Sequence, residues 1–549
     1  MKISTALFLL LGAQLLVMAG RVGVAYDEPP YVAAGYLYWT QGLGFIIREH
    51  PPLGDYLRGL AVLAAGPELP RAPGRENLSV GPFEFGQHFL FRNRVPPKTI
   101  LWAARLASVL MGLATALILW LWLGALAGET AAAAGLAFLA FEPNLLAHGS
   151  LATNDITVTL FMTLAAAAWS MYLARGGKRW PVLAGAATGA ALASKATGLG
   201  LLPLLVLPSL VPGWRTPQER REDLNAVAVA LAWAAGVILL VYGPTGLHFF
   251  RETMAYRFGL QTATAATYFF GTAYPEGHPL YFPGALLAKT TAPLLALALW
   301  GLFDPRARKT APWAWRGAAC ALLLLLGASL ASRRQLGIRN ILPAYPLLCA
   351  LAALGWAAIK TRRPAFHWAL PALLLWHAGS SLANFPHHLA YFSELVAGPS
   401  RGRRILGDSN LDWGQALPEL REFVRKNPGG VILSYFGMDC PPSYGLDLQE
   451  AFSTPQACTG SRRALPVELG AEWLAVGATK WQGFYEKGVP AFSWLHSRAP
   501  RAVLGNSLLV YDVSRDPDAH LELASMYERA GLPELAVREK ARARWISSR

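Results

Sequence analysis

Asp27 and Glu28 stand side by side just beyond the first long apolar run of this 549-residue chain. Glu49-His50-Pro51-Pro52-Leu53 follows in the same polar segment, and Asn154-Asp155 opens a later apolar run. Arg333, Arg334 and Arg339 crowd a short polar segment between two more apolar runs. Carboxylates and arginines of this kind can do two things. A carboxylate within about 2.6–3.2 Å of a hydroxyl can take its proton. A guanidinium grips phosphate oxygens in bidentate fashion, and a departing phosphate needs cations more than it needs a strong acid. Asp27 suits the first task, with Glu28 and Asp155 as acids that orient it or raise its pKa by like-charge repulsion. Arg339 suits the second. Lys289 is a second phosphate candidate, with snorkelling to the lipid interface as the plain alternative. For Arg333 and Arg334 the alternative is general binding of lipid head groups, and for His50 it is packing of the Pro-Pro turn. Glu49 and Asn154 are supporting candidates.

These residues need a membrane to position them. The chain is 54% hydrophobic and 15% charged, and apolar runs of about 18 residues or more, enough to cross some 30 Å of hydrocarbon, recur along it. About eleven spans are expected, near 3–25, 101–126, 130–146, 154–174, 181–197, 199–212, 225–243, 283–303, 317–331, 341–359 and 365–383. The first run has the outline of a secretory signal around Val17-Met18-Ala19, but it continues to Ala25 and is long enough to span. The pair near 181–212 is short and broken by Gly and Pro, as a tilted or re-entrant segment would be. The net charge of +15 is not spread as a nucleic-acid footprint. It sits in loops at Arg175, Lys178 and Arg179; Arg215, Arg220 and Arg221; Arg306, Arg308 and Lys309; Lys360, Arg362 and Arg363. That is the positive-inside pattern. It puts the N-terminus in the cytoplasm and 26–100, 244–282 and 384–549 outside, in the periplasm of a bacterial inner membrane. The basic loop 332–340 breaks the rule, which marks it as an anion site. Asp27, Glu28, Glu49 and Asp155 fall on that same outer face, and acids at membrane depth are costly enough to call for a function.

Residues 1–383 therefore read as a transmembrane module, 384–514 as a small periplasmic α/β domain, and 515–549 as a helical tail resembling one tetratricopeptide hairpin. In the α/β part, Gln415–Asn427 has helical spacing, while Val431–Phe436, Glu472–Val476 and Ser507–Val513 read as strands. Cys440 and Cys458 lie where an oxidising compartment allows them to pair. Asp412 and Trp413 either roof the site and stack on an acceptor sugar, or bury a loop of the domain.

The motifs resemble a known group. Asp27-Glu28, the Glu49–Leu53 element, and Asp155 after Glu142-Pro143-Asn144-Leu145-Leu146-Ala147-His148 look like the protein O-mannosyltransferases and the lipid A aminoarabinose transferases. Both belong to the GT-C clan. Arg339-Asn340-Ile341-Leu342-Pro343-Ala344-Tyr345-Pro346 resembles an R-x-L-L-P-x-Y-P element of bacterial members. Asp408–Gln415 and Tyr435-Phe436-Gly437 resemble the C-terminal region of bacterial relatives. The resemblance implies a mainly α, polytopic GT-C fold and a glycosyltransferase acting at the outer face. Its donor would be a polyprenyl-phosphate-linked sugar, its acceptor a hydroxyl on a glycolipid, glycan or protein, and Asp27 its catalytic base. Where the aminoarabinose transferases carry Lys, this chain has His50, which makes the charge there pH-dependent. No β-trefoil insertion is seen, so a protein acceptor is not implied.

The sequence assigns no cofactor. A divalent ion bridging Asp27, Asp155 and the donor phosphate stays open, since oxygen-rich sites suit such ions. His278, His387 and His388 lack zinc-ligand spacing. A polytopic transporter or flippase is the alternative function, but such proteins usually show repeated halves and midplane charges, and neither is seen here.

Overall fold

The computed structural model describes residues 2–549, apart from 43–46, 48, 70–80, 244–245, 263–265, 361–367, 447, 452–463 and 487–489. It is predominantly helical. Among the described residues, five helices are long and apolar enough to cross a membrane: Lys2–Arg21, Pro97–Ala127, Asn154–Arg175, Pro217–Tyr242 and Pro312–Leu330. Two bent pairs add to them, Glu129–Ala140 with Pro143–Gly149 at 66° and Tyr281–Lys289 with Ala292–Phe303 at 118°. Ala196–Leu210 and Ala344–Lys360 are shorter apolar helices.

Of the about eleven expected spans, five among the described residues are single helices of crossing length, or seven with each bent pair as one span, and shorter apolar helices fall on others. The breaks have local causes. Glu142 caps the second helix of the first pair through its carboxylate and the Leu145 amide, with Pro143 at the first helical position. A proline there has no amide to leave unsatisfied and stops the preceding helix from running on. Thr290 and Thr291, both extended, separate the halves of the second pair ahead of Pro293. In 181–212 the chain runs as Arg179–Leu192, a 3-10 turn at Ala196–Gly200 and Leu201–Leu210. The helix Ala369–Leu382, of 14 residues, lies inside the expected last span, whose residues 365–367 fall outside the described ones.

The segment 26–100 holds helices Glu28–Gln41, Leu53–Leu63 and Pro82–Phe91. The first two cross at Gly35 and Gly59, where a Cβ on either residue would meet the other strand of backbone at 2.1–2.2 Å. Only glycine allows that approach. The segment 244–282 supplies helix Leu247–Thr262 and a short hairpin, β1 (Thr267–Phe269) and β2 (Thr272–Tyr274).

The C-terminal part is built on a five-stranded sheet of β3 (Gly430–Ser434), β4 (Gln449–Glu450), β5 (Glu472–Gly477), β6 (Ala502–Leu504) and β7 (Leu508–Asp512), in the order β4-β3-β5-β7-β6. β3 runs parallel to β4 and β5, while β7 is antiparallel to β5 and β6. The tail helices Pro517–Arg529 and Pro533–Ser547 dock on this sheet through buried charges. Glu472 on β5 meets Arg538 at 2.6 Å and Arg542 at 2.9 Å, and His520 meets Glu539 at 2.6 Å. Cys440 is buried. Its expected partner, Cys458, lies outside the described residues.

Candidate active site

The site forms where three remote segments are tied together. The strand-like stretch after the first helix lies along the Trp413–Gln415 segment, with Gly23 N to Gln415 O at 3.0 Å and Tyr26 N to Trp413 O at 2.9 Å. The loop carrying Arg339 is held by the Ile338 amide donating to Asn410 Oδ1 at 2.9 Å. Asn410 in turn donates to the Tyr281 hydroxyl at 2.8 Å. The Asp408–Gln415 motif is therefore a cross-brace between the Asp27 and Arg339 loops.

Arg339 Nη1 donates to Asp27 Oδ2 at 2.8 Å and lies 3.9 Å from Asp155 Oδ2. Lys195 Nζ donates to Asp155 Oδ1 at 2.5 Å and to Asn340 Oδ1 at 3.1 Å. The Arg339 guanidinium sits 4.3 Å over the Trp413 ring. These residues form a continuous chain, Asp27–Arg339–Asp155–Lys195. Asp155 also lies in the first turn of its helix, where the exposed amide ends favour a negative charge. A cavity of about 1580 Å³ is lined by Asp27, Lys195, Arg339, Asn340 and Trp413. Glu49, His50, Arg257 and Arg334 share that wall.

His50 has Arg257 Nη2 at 2.7 Å from Nδ1, and Tyr31 packs edge-on against its ring. Burial, reinforced by Arg257, holds the His50 pKa well below the ordinary histidine range. Burial likewise pushes Arg257 down to about 10. Glu49 pairs with Arg334 at 3.2 Å. The Nε atoms of Arg257 and Arg339 are buried and make no hydrogen bond. A buried guanidinium donor without a partner is costly.

Other sequence candidates fall elsewhere. Glu28 is fully buried, not on the cavity lining, and saturated. Arg105 grips it with Nε to Oε1 at 2.8 Å and Nη2 to Oε2 at 2.6 Å, while the Ala25 and Ala152 amides add 2.8 Å bonds. It therefore cannot orient Asp27 by free like-charge repulsion; the charge facing Asp27 is the Arg339 guanidinium. Lys289 is buried with Nζ on the carbonyls of Leu389 (2.9 Å) and Asn410 (2.6 Å), away from the cavity wall. Asn154 accepts from Arg58, which also binds Asp55 at 2.7 Å and the Thr153 carbonyl at 2.9 Å. It locks helix Leu53–Leu63 to the start of helix Asn154–Arg175. Arg333 is exposed and off the lining. Asp412 is a buried brace whose carboxylate accepts from the Thr479 amide at 3.0 Å, and burial pushes it up to about 7. Among the described residues no group of three or more His, Cys, Asp or Glu is placed to hold a metal ion.

Lys195, Arg257 and Arg105 were not singled out from sequence. Lys195 looks like an ordinary cation at the end of an apolar run, and only the fold brings it to Asp155.

Residues 98–240 match the family model for dolichyl-phosphate-mannose-protein mannosyltransferase. This bears out the resemblance to the protein O-mannosyltransferase group, and the matched segment contains Arg105, Asp155 and Lys195. No curated protein sequence matches the chain. Among solved structures, the chain is similar to ArnT from Cupriavidus metallidurans in the apo state, with TM-score 0.46, 15% identity, and 92% of this chain and 97% of that chain covered. The same protein bound to undecaprenyl phosphate gives a TM-score of 0.47 at 15% identity and the same coverage. The oligosaccharyltransferase AglB from Archaeoglobus fulgidus, in complex with an inhibitory peptide and a dolichol-phosphate, gives 0.43 at 13% identity, covering 80% of this chain and 65% of that chain.

Proposed function

We propose that this protein is a membrane glycosyltransferase that moves a sugar from a polyprenyl-phosphate-linked donor to an acceptor hydroxyl at the periplasmic face of a bacterial inner membrane. One observation carries the reading: the Asp27–Arg339–Asp155–Lys195 charge chain, whose Asp27, Arg339 and Lys195 line a large cavity. The mannosyltransferase match over 98–240 supports the same class of donor.

In the proposed step the acceptor oxygen attacks the anomeric carbon as its proton passes to the Asp27 carboxylate. The new carbon–oxygen bond forms while the bond to the donor phosphate breaks, and polyprenyl phosphate leaves. Arg339 and Arg257, both on the cavity lining, supply guanidinium N–H donors to that phosphate. Asp155, held by Lys195, steers Arg339. Arg334 adds positive charge to the wall, and His50, held neutral, contributes shape and a hydrogen-bonding ring.

A base acting on the acceptor leaves no enzyme-linked sugar, so the anomeric configuration should invert. Purified protein incubated with labelled polyprenyl-phosphate sugars should release free polyprenyl phosphate and give a product of inverted configuration. Retention, or no turnover with hexosyl or pentosyl donors, would overturn the proposal.

A further inference from the structure

The cavity has a second wall of a different character. Tyr26, next to Asp27 in the chain, stacks on Phe436 with centroids 4.8 Å apart and planes 9° apart. Phe436 stacks in turn on Tyr485 at 5.7 Å and 27°, and Phe83 tilts against Tyr26 at 5.5 Å. These four rings come from three separate parts of the chain: the loop after the first helix, helix Pro82–Phe91, and the C-terminal domain. All four line the cavity that holds Asp27. Tyr485 remains 43% exposed although its hydroxyl donates to the Asp408 carboxylate, which is on the same lining.

An apolar core would bury such rings completely, and a hydrocarbon chain would need no carboxylate among them. Aromatic faces are electron-rich, so they attract the slightly positive C–H face of a pyranose ring. A carboxylate and a tyrosine hydroxyl at the rim suit a sugar's equatorial hydroxyls. We infer that the row Phe83, Tyr26, Phe436 and Tyr485, with Asp408, is an acceptor subsite for a carbohydrate. It delivers a hydroxyl of a glycan, or of a glycolipid's sugar head, to Asp27. The inference rests on the transferase reading and narrows its acceptor to a sugar.

The test uses the full chain in lipid nanodiscs, with maltohexaose, chitohexaose and mannohexaose as probes in saturation-transfer NMR. Binding of polyprenyl phosphate is measured separately. The wild type should bind at least one oligosaccharide, with saturation on ring C–H protons. Tyr485→Leu, at a partly exposed position that tolerates change, should weaken binding by about three- to tenfold, the scale of one aromatic contact. Tyr485→Phe, which keeps the ring, should retain most of it. If no oligosaccharide binds, or if Tyr485→Leu binds as the wild type does, the subsite is wrong. Loss of polyprenyl phosphate binding in the wild type would instead count against the transferase reading, whatever the sugars do.

Discussion

Arg339 and Asp27 lie 312 positions apart in the chain and end 2.8 Å apart in space. At that distance the carboxylate is aimed by Arg339 and still has an oxygen free of it for an acceptor hydroxyl. Asp27→Asn keeps the size of the side chain and removes the proton acceptor. Transfer should fall by a factor of about 10²–10⁴, the usual cost of losing a general base. Transfer rate with donor binding measured in parallel decides it; near-normal turnover would remove Asp27 from the role. His50 makes a prediction in pH. Its folded pKa is depressed, so the cation exists only well below the usual histidine midpoint and the ring is neutral between about pH 6 and 8. His50→Gln should therefore leave the shape of the rate profile across that window unchanged. Loss of an acidic limb near pH 6.5 in the variant would mean that His50 works as a cation after all.

At the scale of elements, the helix pair Glu28–Gln41 and Leu53–Leu63 sets the distance between Asp27 and the His50 loop. Its contact is backbone on backbone at Gly35 and Gly59. Gly35→Ala should overpack this crossing and cost about 1–3 kcal/mol, read as a lower melting temperature of the protein in detergent, with weakened donor use. An unchanged melting temperature would show that the two helices are free to separate. The pattern of paired cations follows the same logic of support. Glu28 with Arg105 pins the start of one helix to the span Pro97–Ala127, and Asn154 with Arg58 pins the other to Asn154–Arg175. These buried pairs hold their partners in register, and removing one member would strand a charge.

Across the whole molecule the charges separate by face. Helix Asn154–Arg175 has 22 residues, so Asp155 at its start and Arg175 at its end stand about 30 Å apart. At the Arg175 end, Arg215 donates to the Leu173 carbonyl at 3.2 Å and lies 5.0 Å over Trp313, which also carries Arg316 at 4.4 Å. These basic residues thus gather at the end of the helix opposite Asp155, as the positive-inside pattern requires if the cavity is periplasmic. Cysteines placed at the exposed positions Gln218 and Lys426 test this. An impermeant thiol reagent added to intact spheroplasts should label the Lys426 variant above the parent chain and spare the Gln218 variant. The reverse result would put the acids on the cytoplasmic side.

Composition and apolar runs were enough to establish a membrane protein, because the demand for about 20 apolar residues per crossing is local to each segment. The motifs around Asp27, His50, Asp155 and Arg339 were legible for the same reason: each is short and contiguous. The strands β3, β5 and β7 could also be read, as brief runs rich in Val, Ile and Leu. What the sequence left undecided depended on contacts between distant segments. Glu28 and Asp27 are neighbours, yet one is clamped by Arg105 and the other faces a cavity. Lys289 looked like a phosphate ligand until two backbone carbonyls claimed it, and Lys195 looked unremarkable until it met Asp155. The bends at 141–142 and 290–291, which turn expected spans into broken ones, depend on how capped ends pack inside the bundle. A charged side chain takes its role from the partner that folding brings to it, and that partner lies beyond the reach of any local pattern.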